Sequence, residues 1–459
     1  MPRQIASARS LDSWPVIEDA LSQVGAKMTD SDLISVFTHT LQTIYESVGK
    51  GSAEKHFGDL PRMFDQIDPV SLNQFLHTTF PAMAQDILVF VGNCAEVGYL
   101  PSDYNGEVEL SASDVYVLVS MSFLGIPLVH ASGETTLRDG TCVYMFSNRP
   151  KQVAKLTCLL NYFNVMVAAR QSLLPPEVCD RIVNRRIVLQ RLVLTKSHGA
   201  EWWMNDCKNP MSAVRYMEKF VCIESAHDAV QADFANKHIG GGVLRTGCVQ
   251  EEIRFIISPE CLISVFLCDP LADNEALLIR NTLQISSYSG YSQSFKCTGF
   301  SKVIKTLFSG NSNDSRLPID DIICIDATPF TTPEERNRQF TVHSILRELE
   351  KCRCGLSFPG NKPFATGNWG CGVFGGDSQL KAVIQWIAAS ACSRDLIYFP
   401  FDDVSTSQLP ELARVATAFP VSEIFRTLLE CIRDKSSNRD IIGAMIERFS
   451  NSYNSNRHS

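Results

Sequence analysis

Apolar residues recur at helical spacing through the first part of the chain and bunch into short runs through the rest. In SDLISVFTHTLQTIYESVGKG, Ile34, Phe37, Leu41, Ile44 and Val48 fall three or four apart and so share one helical face. Asp30 or Ser31 is placed to cap its start, and Gly49 with Gly51 to stop it. In LSASDVYVLVSMSFLGIP, Ser111 and Asp114 resemble a capping box, Val115, Leu118 and Val119 form a stripe, and Gly125 with Pro127 ends the run. A third stripe, Val153, Leu156, Leu160, Phe163 and Val167, runs through KQVAKLTCLLNYFNVMVAARQ. Such stripes are core faces and carry no catalytic constellation. Residues 1–185 are therefore expected to form an α-helical accessory domain that acts as a support.

The texture changes after LLPPEVCDR, Leu173 to Arg181, whose two prolines interrupt a helix. RIVLQRLVLT, AVQADFA, ALLIR, DIICIDA and RDLIYFPF are short apolar runs of the kind found in buried strands. Between them EEIRFIISPECLISVFL, VHSILRELEKC and DSQLKAVIQWIAASAC carry helical patterns. This alternation predicts an α/β layer sandwich over residues 186–450. SGNSNDSRLP reads as an exposed loop, and residues 451–459 as a disordered tail.

Composition narrows the function classes. With 459 residues, 45% hydrophobic and 20% charged, the chain has the profile of a soluble globular protein of two or three domains. No apolar run approaches the roughly 18 residues that span a bilayer, so no membrane partner is expected. The N-terminus lacks the apolar segment of a secretory signal; Arg3, Arg9 and several serines leave a weak organellar presequence as an alternative. A net charge of -8 argues against binding DNA or RNA along a broad face, so any polyanion must be handled in a local pocket. The sixteen cysteines show neither C-x-x-C pairs nor zinc spacing. They are expected to be free thiols in a reducing compartment, cytosol or nucleus, and neither a metal nor a cofactor is expected.

The chemistry concentrates in HIGGGVLRTGCVQEEIRFIISPE, His238 to Glu260. Gly240, Gly241 and Gly242 open the backbone as an anion cradle would, yet Glu251 and Glu252 follow at the start of a helix. A second glycine loop, ATGNWGCGVFGGD, also leads into a helix, so the two together could grip one phosphate group. Gly370 to Gly375 also matches a dinucleotide fingerprint, but Asp395 precedes the next strand instead of ending it, which disfavours a nicotinamide site. Adjacent helical residues project about 100° apart, so Glu251 and Glu252 cannot flank one glycosidic bond and must do different jobs. One could hold ribose hydroxyls while the other faces the bond to be broken. A neighbouring diphosphate would keep that acid protonated and ready to donate. The bland alternative is a pair of solvated acids at a positive helix end.

GGGVLRTGCVQEE resembles the signature of the poly(ADP-ribose) glycohydrolase family. DFANKHIGGG, EEIRFIISPE, YSGY, ATGNWGCGVFGGD and RDLIYFPF extend the resemblance in order from Arg186 to Asp403. ELSASDVYVLVSMSFLGIP loosely resembles the helical accessory region of the longer, eukaryotic-type members. The resemblance implies a macrodomain-like mixed β-sheet sandwiched by helices, preceded by the α-helical accessory domain. It also implies hydrolysis of ribose–ribose O-glycosidic bonds in poly(ADP-ribose) attached to acceptor proteins. Under it Glu252 is the general acid and then base, Glu251 binds ribose hydroxyls, and Gln250 helps place Glu251. Asp233 and Asn236 support the same ribose. Gly240, Gly241 and Gly242, with Gly372, Val373 and Phe374, hold the diphosphate through backbone amides. Ile223 and Glu224 meet the adenine edge, Asn368 joins the substrate contacts, Tyr291 closes over the ligand and Phe401 stacks on the adenosine. A monomer in the nucleus, the cytoplasm or both is expected, with no direct DNA binding. The competing readings are a non-catalytic ADP-ribose reader and a nucleotide-dependent oxidoreductase.

Overall fold

Side-chain alternation along the strands sets the architecture. Ile322 and Cys324 pack into one hydrophobic core and Ile323 into another; Leu277 and Ile279 are likewise separated from Ala276 and Leu278. A strand with apolar residues on both sides must be covered on both faces. A computed structural model shows that cover, and it describes residues 3–6, 8, 11–24, 33–50, 53–93, 97–130, 140–309, 319–434 and 440–455.

Eight strands form one mixed sheet: β1 (Gly106–Ser111), β2 (Arg186–Val193), β3 (Val214–Tyr216), β4 (Val230–Asp233), β5 (Glu275–Thr282), β6 (Asp320–Cys324), β7 (Phe364–Gly367) and β8 (Leu396–Phe399). Their order is β1-β2-β5-β6-β4-β7-β8-β3. From β1 to β6 the pairings are antiparallel; from β6 through β4, β7 and β8 to β3 they are parallel. The expected macrodomain-like mixed sheet between helices is thus present.

The helical region is built as the stripes predict, with α1 (Leu33–Ser47), α2 (Phe80–Gly92), α3 (Ala112–Phe123) and α4 (Pro150–Arg170). The Ser111 hydroxyl accepts from the Asp114 amide at 3.0 Å and caps α3. The cap expected at Asp30 or Ser31 and the stop at Gly51 lie outside the described residues. Two findings differ from a purely helical support. β1 belongs to the large sheet, its residues Val108 and Leu110 turned inward and Glu107 and Glu109 outward. And α4 is buried on nearly every face, not along one stripe. Its polar residues find partners inside: Asn164 donates to the Ser71 carbonyl at 3.0 Å and Asn161 to the Ser286 hydroxyl at 3.2 Å. Those polar positions disguise an enclosed helix as an amphipathic one.

One core runs without a break from Phe37 and Phe80 through Leu159 to Ile256, Leu277 and Ile279, so the helical region covers one face of the sheet directly. The other face is covered by α6 (Val342–Gly355) and α7 (Ser378–Ala391). The pattern EEIRFIISPECLISVFL is not one helix: α5 (Gln250–Ile257) ends before Pro259, and a 3-10 turn and a second short helix, Ile263–Leu267, follow. The last helix among the described residues, Ile441–Ser455, buries Ile442, Met445 and Phe449 against the second core. The expected disordered tail is helical through Ser455, and 456–459 lie outside the described residues, as does 310–318 of the expected loop.

Candidate active site

Parallel strands point their carboxyl ends to one side, and the site lies there. β4 ends at Asp233 and runs on through Phe234 and Asn236 to Gly240; β7 ends at Gly367 and opens into the second glycine loop; β8 ends at Phe399 and turns at Phe401.

α5 starts with Val249 as its N-cap, which puts Gln250, Glu251 and Glu252 in its first turn. Glu252, the third helical residue, bends back so that Oε2 accepts from the Val249 amide at 2.8 Å, while Oε1 accepts from the Gly242 amide at 2.8 Å. Glu251 is held the same way, Oε1 by the Gly240 amide at 2.6 Å and Oε2 by the Asn236 amide at 3.0 Å. Four amides thus grip two carboxyls, one to each oxygen. Gly241 has φ +50°, and a Cβ there would come 2.5 Å from Glu251 Oε2 and 2.6 Å from Glu252 Oε1. Only glycine fits. The remaining amide of the trio, that of Gly241, donates to the His238 carbonyl at 3.0 Å. The cradle assigned to diphosphate at Gly240–Gly242 therefore holds the chain's own acids.

Glu251 and Glu252 do lie side by side, and their surroundings favour the protonated form of Glu251. Burial, then the charges of Asp233 and Glu252, pushes the Glu251 carboxyl well above the usual range, against the pull of the Asn236 and Gly240 amides. Asp233 is pushed up to about 7, chiefly by burial, with the Cys324 thiol and Arg254 pulling it down. The first cause is burial in both cases, where the sequence pointed to a bound diphosphate. Asp233 is 0% exposed, lines neither of the two cavities at the site, and meets only the weakly donating Cys324 thiol among the described residues. Its expected place at the ribose is corrected: it reaches the acid pair through charge alone. Gln250 joins α5 to β4, accepting from the Phe234 amide at 2.8 Å and donating to the Ala232 carbonyl at 3.1 Å. Arg254, which sequence reasoning missed, anchors α5 by a buried 2.8 Å ion pair to Asp320.

Two cavities meet at the acids. The larger, about 1120 Å³, is lined by Asn236, Gly241, Gly242 and Glu252; the smaller, about 370 Å³, by Ile223, Glu224, Gln250, Tyr291, Asn368, Gly372 and Phe401. Glu251, Phe234, Val249, Val373 and Phe374 line both. Of the expected site residues, only Asp233 and Gly240 line neither. The amides of Gly372, Val373 and Phe374 donate to no protein acceptor among the described residues, and Val373 is 74% exposed. Asn368 ties the rim together, accepting from the Tyr398 hydroxyl at 2.8 Å and donating to the Pro400 carbonyl at 3.0 Å.

Phe401, 48% exposed, has an unexpected neighbour in Phe220, 63% exposed; the rings meet edge to face with centroids 5.8 Å apart. Both sit at positive φ, +58° and +62°, and the Phe220 amide donates to the Phe401 carbonyl at 3.0 Å. A strained backbone thus displays two aromatic rings to solvent, a surface on which a flat ligand could stack. The signal in the sequence was one Phe in an unremarkable loop. The helical region also reaches the site, through Gln152 and Lys155 of α4, so it is more than a support. Among the described residues no group of His, Cys, Asp and Glu is arranged to hold a metal ion, and no helix is long and apolar enough to cross a membrane.

Residues 201–408 match the family model described as poly(ADP-ribose) glycohydrolase, macro domain fold, and residues 67–179 the model of its helical domain. Poly(ADP-ribose) glycohydrolase 1 of Arabidopsis thaliana is 26% identical over 92% of this chain and 87% of its own. Poly(ADP-ribose) glycohydrolase 1 of Caenorhabditis elegans is 33% identical over 59% of this chain, and poly(ADP-ribose) glycohydrolase 2 of the same organism 33% identical over 59%. The match spans a third of the length of the first nematode relative, 33%, and about half of the second, 53%.

Proposed function

The chain belongs to the poly(ADP-ribose) glycohydrolase family, and from that premise we propose that it hydrolyses the ribose–ribose O-glycosidic bonds of poly(ADP-ribose) carried by acceptor proteins, releasing ADP-ribose. The observation that carries the reading is the acid pair, four amides fixing two carboxyls where an aromatic-rimmed cavity joins a larger one. In this reading the adenosine end occupies the smaller cavity against Phe401, and the diphosphate meets the free amides of Gly372 to Phe374. The scissile bond then lies over Glu252. Glu252 protonates the leaving ribose oxygen as the bond to the anomeric carbon breaks, then takes a proton from the water that attacks the oxocarbenium-like centre. Glu251, whose carboxyl is pushed well above the usual range by burial and its acidic neighbours, binds ribose hydroxyls. A diphosphate seated nearby adds negative charge and favours the protonated state that the first step needs.

The test is release of ADP-ribose from polymer by purified protein, alongside calorimetric binding of ADP-ribose. Glu252→Gln is expected to lower turnover by about 10²- to 10⁴-fold, the usual contribution of a general acid, with ADP-ribose affinity largely kept. Near-normal turnover in that variant removes Glu252 from its role. A wild-type protein that binds ADP-ribose and cleaves nothing is a reader.

A further inference from the structure

We infer that Lys155, a residue of the helical region, is a positioning residue for the proton-donating glutamate and acts by holding the loop that clasps it. The inference rests on the reading of Glu252 given above.

Lys155 lies on the second turn of α4 and is 0% exposed, an unfavourable place for a cation without a use for its charge. Its hydrogen-bond partners are backbone carbonyls, not carboxylates: those of Arg245 and Gly247, each at 2.9 Å. Gln152, one turn earlier, donates to the same Arg245 carbonyl at 3.1 Å. Two carbonyls two residues apart are thus drawn to one helix, which sets the curve of the chain between Gly242 and Val249. The ends of that curve are the two amides that hold Glu252. Its middle presses on the same carboxyl, since a Cβ on Gly247 would lie 2.6 Å from Glu252 Oε1 and 2.8 Å from Cδ. Residues 242–249 contain no helix or strand of their own, so their shape depends on such tethers.

The ammonium also brings charge. Burial pulls Lys155 down to about 8, while Cys248, Glu252 and Cys142 favour its cation and Lys151 opposes it. Near neutral pH the cation predominates. As Glu252 gives up its proton, the negative charge that develops meets a fixed positive one in surroundings of low dielectric.

Lys155→Met keeps the length of the side chain and removes charge and donors. Polymer cleavage is expected to lose about 10- to 100-fold in kcat, as misplacement of a catalytic group does, with KM and ADP-ribose affinity little changed. Loss of the cation favours protonated acids nearby, so the alkaline limb of the kcat profile moves to higher pH, a shift that mere loss of packing would not produce. Unaltered kcat overturns the assignment, and so does a fall in kcat that tracks lost affinity with the limb unmoved. Should the Met variant fail to fold, Gln152→Ala decides. A fall of about 3-fold in kcat at unchanged affinity supports the tether, and no fall overturns it. Wild-type protein that releases no ADP-ribose defeats the reading of Glu252 itself, whereas an active wild type with an indifferent Met variant defeats only the role of Lys155.

Discussion

The two glycine-rich loops look alike on paper and differ in the fold. Gly240–Gly242 points its amides inward, two of them onto Glu251 and Glu252 and one onto His238. Gly372–Phe374 leaves its three amides without a protein acceptor among the described residues, and all three residues line the smaller cavity while Val373 and Phe374 also line the larger. The first loop is closed on the chain's own acids and the second is open to a ligand. Glycine runs before a helix therefore do not by themselves mean a phosphate site. The same freedom from Cβ lets a backbone approach a carboxylate that belongs to the protein, and the acids a few residues downstream decide which use is made of it.

The sharpest way to break this comparison is to add one methyl group to each loop. Gly241→Ala must push Cβ against both carboxyls at a positive φ, so kcat is expected to fall by on the order of 100-fold or more. Gly372→Ala meets nothing within 4 Å and is expected to change kcat and KM by less than about 2-fold. Kinetics on the pair with poly(ADP-ribose) are the check. Equal losses would mean that the closed loop has no special hold on the acids.

The sequence made some of this contrast readable. Gly-Gly-Gly and Gln-Glu-Glu are separated by a spacing that places the acids in the first turn of α5, and order along the chain brought ten expected residues to one small cavity. The direction in which an amide points is not readable that way, because it depends on φ at Gly240 and Gly241 and on where Val249 caps its helix. Asp233 shows a related limit. The last residue of a strand can face the cleft or the core, and burial of all four residues of β4 puts this one inside. Short strands escaped as well: β3 has three residues and the hydrophobic part of β7 only two, too few for a period to show. α4 reads as one stripe because Gln152, Lys155, Asn161 and Asn164 are polar, although each is buried against a partner supplied by distant chain.

The open loop predicts a smaller class of effect, in binding instead of turnover. If it and the rim hold an ADP-ribose unit, Phe401→Ala should weaken ADP-ribose by about 10-fold, within the 1–3 kcal/mol that a base stacked on an aromatic side chain is worth. Phe220→Ala removes the perpendicular ring and should cost about 3-fold, the scale of one edge-to-face pair. Calorimetry with ADP-ribose and with adenosine monophosphate measures both, and kcat should stay near the wild-type value. A loss in kcat without a loss in affinity would mean that these rings act on the acid loop and that the two regions are not separable.

The smallest expected effect concerns the charge stored behind the closed loop, for which the open loop has no counterpart. Asp233 carries a value raised to about 7 against 3.8 for an ordinary aspartate, with burial the main cause. A carboxyl raised in the folded state binds its proton more tightly there than in the unfolded chain. Its contribution to stability is therefore complete below about 3.8 and is lost as pH rises through about 7. Asp233→Asn cannot ionise and escapes that loss, although it leaves a buried amide beside a weak partner, the Cys324 thiol. The melting temperature of the variant relative to wild type should thus become more favourable from about pH 5 to about pH 8, by at least about 2 °C. A difference that stays flat across that range would show that Asp233 does not titrate there, and that Glu251 owes its raised value to burial and Glu252 alone.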